Sequence, residues 1–334
     1  MYEDFYSLSG MPFQLTPDSR FYFGSQEHRK AMAFLEFGIA QREGFVVITG
    51  DVGSGKTTLV EYLLANLDQS QHVAGRVVTT QLNGYDILRM IAAAFGIACE
   101  GADKTGLVSR LTELFTMLRA QDKHPLVIVD EAQSLTTEAI EELRMLSNLT
   151  SGTRALFQGI LLGQPEFRIT LTGSNLTQFR QRIVASCHLR ALSSEDTRKY
   201  IEHRLTRVGW AQDPCFSDDA FEEIYRRAEG IPRRINTLCS RLLLYGYLDE
   251  RHTLDAESVA RVAEELASEI RALASDLVPQ TSDAPAIWDT TSNISGEELW
   301  SRLARIERAT ERHDRLINHV LDLALKYLPS QGAK

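Results

Sequence analysis

Residues Gly50 to Thr57 read Gly-Asp-Val-Gly-Ser-Gly-Lys-Thr, a glycine followed after four residues by Gly-Lys-Thr. That spacing suits the cradling of a polyphosphate. The glycines let the backbone approach the anion, and successive amide N–H groups at the start of a helix point at it. Lys56 then reaches the β and γ phosphates, and the Thr57 hydroxyl is placed to ligate Mg²⁺. The candidate nucleotide-binding run is Gly50, Asp51, Val52, Gly53, Ser54, Gly55, Lys56, Thr57 and Thr58. The apolar stretch Phe45-Val46-Val47-Ile48-Thr49 leads into it, and the helix-forming stretch Thr58-Leu59-Val60-Glu61-Tyr62-Leu63-Leu64 leads out. A strand before the loop and a helix after it are the context the motif requires.

A second group of residues turns nucleotide binding toward hydrolysis. Leu126-Val127-Ile128-Val129 is an apolar strand that ends in Asp130-Glu131. A buried parallel strand delivers its C-terminal residues to the ligand crevice. Asp130 would position Mg²⁺ and Glu131 would orient and polarise the attacking water. A further apolar run ends at Leu162-Gly163-Gln164, where the Gln164 side chain would hold the water or sense the γ-phosphate. Arg180 and Arg182 precede the last strand, and an arginine donated by a neighbouring subunit can neutralise charge on a transferred phosphoryl group. Arg233, ahead of Arg234 in Gly230-Ile231-Pro232-Arg233-Arg234-Ile235-Asn236, would touch the nucleotide from a helix start.

The elements that must position these groups follow from periodicity. A helix is expected over residues 26–42, then alternating strands and helices: strand 45–49, helix 56–66, strand 76–80, helices 84–95 and 105–120, strand 126–129, helix 136–148, strand 159–162, helix 175–184 and a short strand at 188–189. Such alternation implies a parallel sheet with helices on both faces. From Ser193 the pattern is helical only, with starts near Ser194, Ser217, Pro232 and Asp255. The expected division is a core with an N-terminal cap segment over 1–192, a helical lid over 193–275, a Pro/Ser/Thr-rich linker over 276–295 and an amphipathic or coiled-coil helix over 296–328. In that last segment Leu299, Ile306, Val320 and Tyr327 share one heptad register, which suits either packing back on the protein or an oligomer or partner contact.

Composition narrows the class. The 334 residues are 43% hydrophobic and 24% charged, with a net charge of −9. This is a globular chain with room for two domains, and its acidity argues against general polyanion binding. Cys99, Cys187, Cys215 and Cys239 have no C-x-x-C spacing and read as reduced thiols. The N-terminus has no basic region ahead of an apolar one, and no apolar run approaches a membrane span. A cytoplasmic protein is expected, with any membrane association made through partners.

Taken together, these motifs resemble an AAA+ ATPase of the P-loop NTPase (ASCE) class, in which the groups above are called Walker A, Walker B, sensor 1, arginine finger and sensor 2. More narrowly, Phe5 to Phe23, GDVGSGKTTL, IVDEAQSL, LLGQPEF, FRQRI and GIPRRIN resemble the ExeA/GspA-type secretion ATPases, and within them the ATPase associated with exosortase (PEP-CTERM) and exopolysaccharide systems. The resemblance covers about residues 1–270. It implies strand order 5-1-4-3-2, ATP in preference to GTP, Mg²⁺, and a homo-oligomer that hydrolyses ATP to drive or regulate an envelope export system with a protein partner. Members carrying a periplasmic cell-wall-binding domain extend well past the ATPase, and that property is not carried over to this chain. A second reading, a DNA-handling ATPase like the transposition helpers TniB and MuB or the origin-recognition proteins, is opposed by the net charge and by the lack of a recognisable winged-helix or helix-turn-helix tail. A third is a nucleotide switch that scarcely turns over.

Overall fold

Strand β1 (Phe45–Gly50) is buried along its whole length, because its β-branched and aromatic residues pack on both faces of a central position. Around it lie β2 (His72–Val78), β3 (His124–Asp130), β4 (Gln158–Gly163) and β5 (Ile183–Leu189), in the order β2-β3-β4-β1-β5. All four pairings are parallel. Read from the other edge, this is the 5-1-4-3-2 order that the resemblance implied. The computed structural model describes residues 1–277 apart from 15, 17 and 79–81.

Alternation along the strands sorts two cores. Phe45, Val47, Val127, Val129 and Leu161 face helices Gly84–Ala94, Lys104–Ala120 and Thr137–Leu146, whose apolar stripes include Ile87, Leu111, Phe115 and Leu143. Val46, Ile48, Ile128, Ile160 and Leu162 face the other way, onto Leu35 of helix Gln26–Gln41 and Leu59 and Leu63 of helix Lys56–Asn66. A third core belongs to the helices after Ser193: Ser194–Thr206, Asp218–Ala228, Pro232–Leu248 and Ala256–Leu277. It contains Ile201, Leu205, Ile224, Ile235, Leu242 and Val259. Tyr2, Tyr6, Leu8, Phe13 and Phe21 belong to this same cluster. The N-terminal segment thus shares its interior with the lid helices, whereas the sequence reading grouped it with the sheet. The aromatic side chains fill the lid core, and Tyr6 donates its hydroxyl to the Arg251 carbonyl at 2.9 Å.

Several boundaries differ from expectation. β2 starts at His72, not at residue 76, because its ladder with β3 runs from His72↔His124 to Val78↔Asp130 and recruits residues with little strand character. β5 starts at Ile183, where residues 183–184 were expected to be helical. The β-branched pair Ile183-Val184 is drawn to the open edge of β1, with Phe45 opposite Ile183. The helix expected over 175–184 shrinks to a 3₁₀ turn, Ser174–Leu176, and a single turn, Thr177–Arg180. Two ribbons of two-residue strands were not foreseen: Thr150–Ser151 with Arg154–Ala155, and Cys215–Phe216 with Thr253–Leu254 inside the lid. The last helix reaches Leu277, and the expected amphipathic helix over 296–328 lies outside the described residues.

Helix Gln26–Gln41 begins on a capped turn, with Ser25 accepting the His28 N–H at 3.2 Å. The His28 ring is buried and shares a 2.7 Å hydrogen bond with the Ser25 hydroxyl. Burial lowers its pKa to about 4 from an ordinary 6.5. The unfolded chain therefore takes up a proton below pH 6.5 that folded His28 refuses until about pH 4. Its contribution to stability is complete above pH 6.5 and is lost as the pH falls toward 4.

Three expectations follow. Ile128→Ala, at a fully buried central-strand position, should cost about 2–5 kcal/mol by chemical denaturation. Phe37→Ser, at an exposed position on helix Gln26–Gln41, should change stability by less than about 0.5 kcal/mol. On acidification from pH 7.5 to pH 5 the melting temperature of His28→Gln should fall less than that of the parent, since the group that resists protonation is gone.

Candidate nucleotide site

Parallel pairing brings four strand ends to one edge of the sheet. Gly50 ends β1 beside Leu189, Thr49 lies opposite Gly163, and Asp130 ends β3 two strands away. The loop after β1 turns tightly through Gly53 (φ +81°) and Gly55 (φ +96°), which only glycine adopts without strain. Both positions are also crowded. A Cβ on Gly53 would strike the Arg233 side chain, and one on Gly55 would lie 2.9 Å from His28 Nε2. The loop is thus set between the lid helix and the first helix of the core.

Lys56 is 7% exposed and sits at the first turn of helix Lys56–Asn66. Its ammonium donates to the carbonyls of Gly50 at 2.7 Å and Asp51 at 2.9 Å. Burial pulls its pKa below the ordinary lysine range, opposed by the nearby charges of Glu131, Asp130 and Asp51. A dianionic or trianionic phosphate would supply the counter-charge that this buried ammonium lacks in full.

Thr57 donates its hydroxyl to Asp130 Oδ2 at 3.0 Å. That pair is the expected magnesium locus, and the donor set suits the ion. One hydroxyl and one carboxylate leave most positions of an octahedron to water and phosphate oxygens, which is how magnesium is usually held. Among the described residues no three His, Cys, Asp or Glu side chains gather as a protein-only metal cage.

Glu131 follows in a left-handed conformation (φ +54°), which turns it out of the strand. Its Oε2 accepts from Gln133 Nε2 at 2.5 Å and from Gln164 Nε2 at 3.1 Å. The Gln164 backbone N–H in turn donates to Gln133 Oε1 at 3.0 Å. Gln164, expected beside the phosphate end, therefore reaches the same carboxylate that would polarise water. Gln133 was not singled out in the sequence. Its signal was the polar residue two positions after the acid pair.

Arg76, also overlooked, projects from β2 and donates to Asp130 Oδ2 at 2.9 Å and to Glu61 at 3.0 Å. The strand register puts it opposite Ile128, two residues short of Asp130, so the long side chain lies along the ladder toward the carboxylate. A lone arginine in an apolar strand was the available clue.

A cavity of about 300 Å³ opens over the loop. Gly53, Gly55, Lys56, Thr57, Thr58 and Glu131 line one part of it. The lid contributes Tyr200, Arg204, Asn236 and Arg233, and the N-terminal segment contributes Gln14, Thr16, Asp18 and Phe21–Phe23. The Arg233 backbone N–H donates to the Gly53 carbonyl at 3.1 Å, tying the lid helix to the loop. Arg234 points elsewhere and pairs with Glu229 at 2.6 Å.

The two arginines before β5 are placed differently from all of these. Arg180 donates to the carbonyls of Leu171 at 2.6 Å and Gly173 at 2.8 Å and to the Thr177 hydroxyl, holding a loop together. Arg182 is exposed and donates to Asn148 Oδ1 at 2.5 Å. It stands at the end of the sheet where Phe45 faces Ile183, with the length of β1, about 17 Å, between it and Gly50. Neither arginine reaches the cavity of its own chain.

Residues 39–171 match the family model described as AAA domain. General secretion pathway protein A of Aeromonas hydrophila is 35% identical over 273 residues, covering 80% of this chain and 48% of that protein. This chain thus spans about half the length of that relative. Among solved structures, ORC2 of Aeropyrum pernix with ADPNP and ADP matches with TM-score 0.56 at 21% identity, over 72% of this chain and 67% of that one. ORC1 of the same organism, in complex with DNA, matches with TM-score 0.59 at 15% identity, over 80% of this chain and 72% of that one. At those identities the likeness is one of fold. These structures and this protein share one fold, residues 39–171 carry an AAA domain, and over 273 residues the chain is similar to the AAA+ proteins of the ExeA/GspA type.

Proposed function

We propose that this protein binds Mg-ATP at the loop Gly50–Thr58 and hydrolyses it as an oligomer, to drive or regulate an envelope secretion system of the exopolysaccharide-export kind. The observation that carries the reading is the meeting of Lys56, the Thr57–Asp130 pair and the Glu131 carboxylate at one mouth of one cavity. Loop amides and Lys56 would hold the phosphates, and Thr57 and Asp130 would hold the ion. When bound, Mg²⁺ neutralises charge on the β and γ phosphate oxygens. Glu131 would take the proton from the attacking water, oriented by Gln164 and Gln133.

Arg182 gives the reading its oligomeric part. It is too far from its own cavity to act there, yet it is exposed on a surface that a neighbour can share. We assign it, ahead of Arg180, to the neutralisation of charge on a neighbour's nucleotide. Arg233, whose backbone is bonded to the loop, would couple lid position to the nucleotide state. The secretion context is supported by the 35% identity to a general secretion pathway protein. Among the described residues no helix is long and apolar enough to cross a membrane, and attachment to an export machine through a protein partner is part of this reading.

Lys56→Ala should abolish uptake of a fluorescent ATP analogue in the presence of Mg²⁺. Glu131→Gln should bind it normally and lower the turnover number by about 100-fold or more, leaving ATP trapped. Arg182→Ala should bind ATP but not turn it over, and added Lys56→Ala subunits, which carry a sound Arg182, should restore hydrolysis once subunit exchange is verified. Absence of restoration with proven exchange overturns the in-trans role. Salt-sensitive DNA binding that stimulates turnover would instead support the DNA-handling reading.

A further inference from the structure

A buried polar chain joins the N-terminal segment to the lid beside the cavity. Arg204, 6% exposed on helix Ser194–Thr206, donates from Nε to the Pro12 carbonyl at 2.6 Å and from Nη1 to the Tyr200 hydroxyl at 2.7 Å. The Tyr200 hydroxyl donates to Asn236 Oδ1 at 2.8 Å, and Asn236 Nδ2 donates to the Gln14 carbonyl at 3.4 Å. The guanidinium also lies over the Phe21 ring, 4.7 Å from its centroid, and 5.5 Å from that of Tyr200. Among the described residues Arg204 makes no ion pair, and its donors go to neutral oxygens and π faces. A buried cation so arranged is a strut, since guanidinium geometry fixes the angle between the groups it bonds.

The placement gives the strut a use. Gln14, Phe21, Tyr200, Arg204 and Asn236 all line the cavity. The loop amides and Lys56 occupy its phosphate end, so the wall held by this chain faces the rest of the nucleotide. We propose, resting on the nucleotide reading above, that Arg204, Tyr200 and Asn236 act as positioning residues that latch the N-terminal segment onto the lid and thereby set affinity for the nucleoside part of ATP. The N-terminal segment then moves with the lid as one body. It completes the base-facing wall only while the latch is closed, and an opened latch leaves phosphate binding intact.

The test compares Mg-ATP with Mg-tripolyphosphate, which has the phosphates and no nucleoside, by calorimetry on the full chain. Tyr200→Phe removes the shared hydroxyl and keeps the ring, and Arg204→Met removes the strut. Because Arg204→Met removes a buried strut of the lid, Tyr200→Phe with its nearly unchanged shape is the primary variant, and each must first show a parental circular dichroism spectrum. Tyr200→Phe should weaken Mg-ATP about tenfold, the scale of one lost buried hydrogen-bond link, and leave tripolyphosphate within twofold. In steady state KM should rise by a similar factor with the turnover number little changed, and Arg204→Lys should retain part of the affinity that Arg204→Met loses. Equal weakening of both ligands, or no weakening of ATP in folded variants, overturns the latch. If the parent protein itself takes up neither ligand, the nucleotide reading fails instead, so the two failures are distinct.

Discussion

The geometry of this protein rests on the parallel ladder that β1 makes with β4 on one side and β5 on the other. A parallel ladder aligns strand directions, so every strand that joins it ends at the same edge. Gly50, Asp130 and Gln164 arrive there from distant parts of the chain for that reason alone. The side chains then need only short reaches to meet: Thr57 to Asp130 across 3.0 Å, and Gln164 to Glu131 across 3.1 Å. Two apolar cores, one on each face, keep the ladder in register, because a one-residue slip would turn Val46 and Ile48 toward the wrong helices.

Electrostatics at that edge is arranged for an anion. Among the described residues Lys56 is buried with backbone carbonyls as its hydrogen-bond partners, while Asp130 and Glu131 raise its affinity for a proton from farther off. The carboxylates are themselves held: Asp130 by Thr57 and Arg76, Glu131 by Gln133 and Gln164. Fixed dipoles and charges of this kind stabilise developing charge without having to reorganise. In the proposed hydrolysis the polar network would position the reacting groups, and the surrounding cores supply rigidity that keeps these side chains in place.

The lid contributes in two ways. It touches the phosphate loop directly, through the Arg233 N–H and the Gly53 carbonyl, and it carries the N-terminal segment as part of its own core. A change in lid position would therefore alter both ends of the cavity together. Under the proposed nucleotide reading, such a two-point connection would let a local event at a phosphate become a displacement of the lid.

The glycine-rich loop was legible in the sequence because its pattern is local: glycines and a lysine within eight residues, between a strand and a helix. The acid pair at the end of β3 was legible because an apolar strand announces where its last residue points. So were the helical lid and the parallel sheet, whose periodicities survive in any short window. Contacts between distant segments were not legible. That Arg76 reaches Asp130, that Gln133 shares Glu131 with Gln164, and that Arg204 grips Pro12 across 192 positions depend on packing and register. Strand ends went the same way: Ile183 became β5 because β1 offered it an unpaired edge, and no pattern within 175–184 carries that information. Local spacing determined which groups the protein owns for phosphate chemistry, and tertiary pairing decided which of them meet.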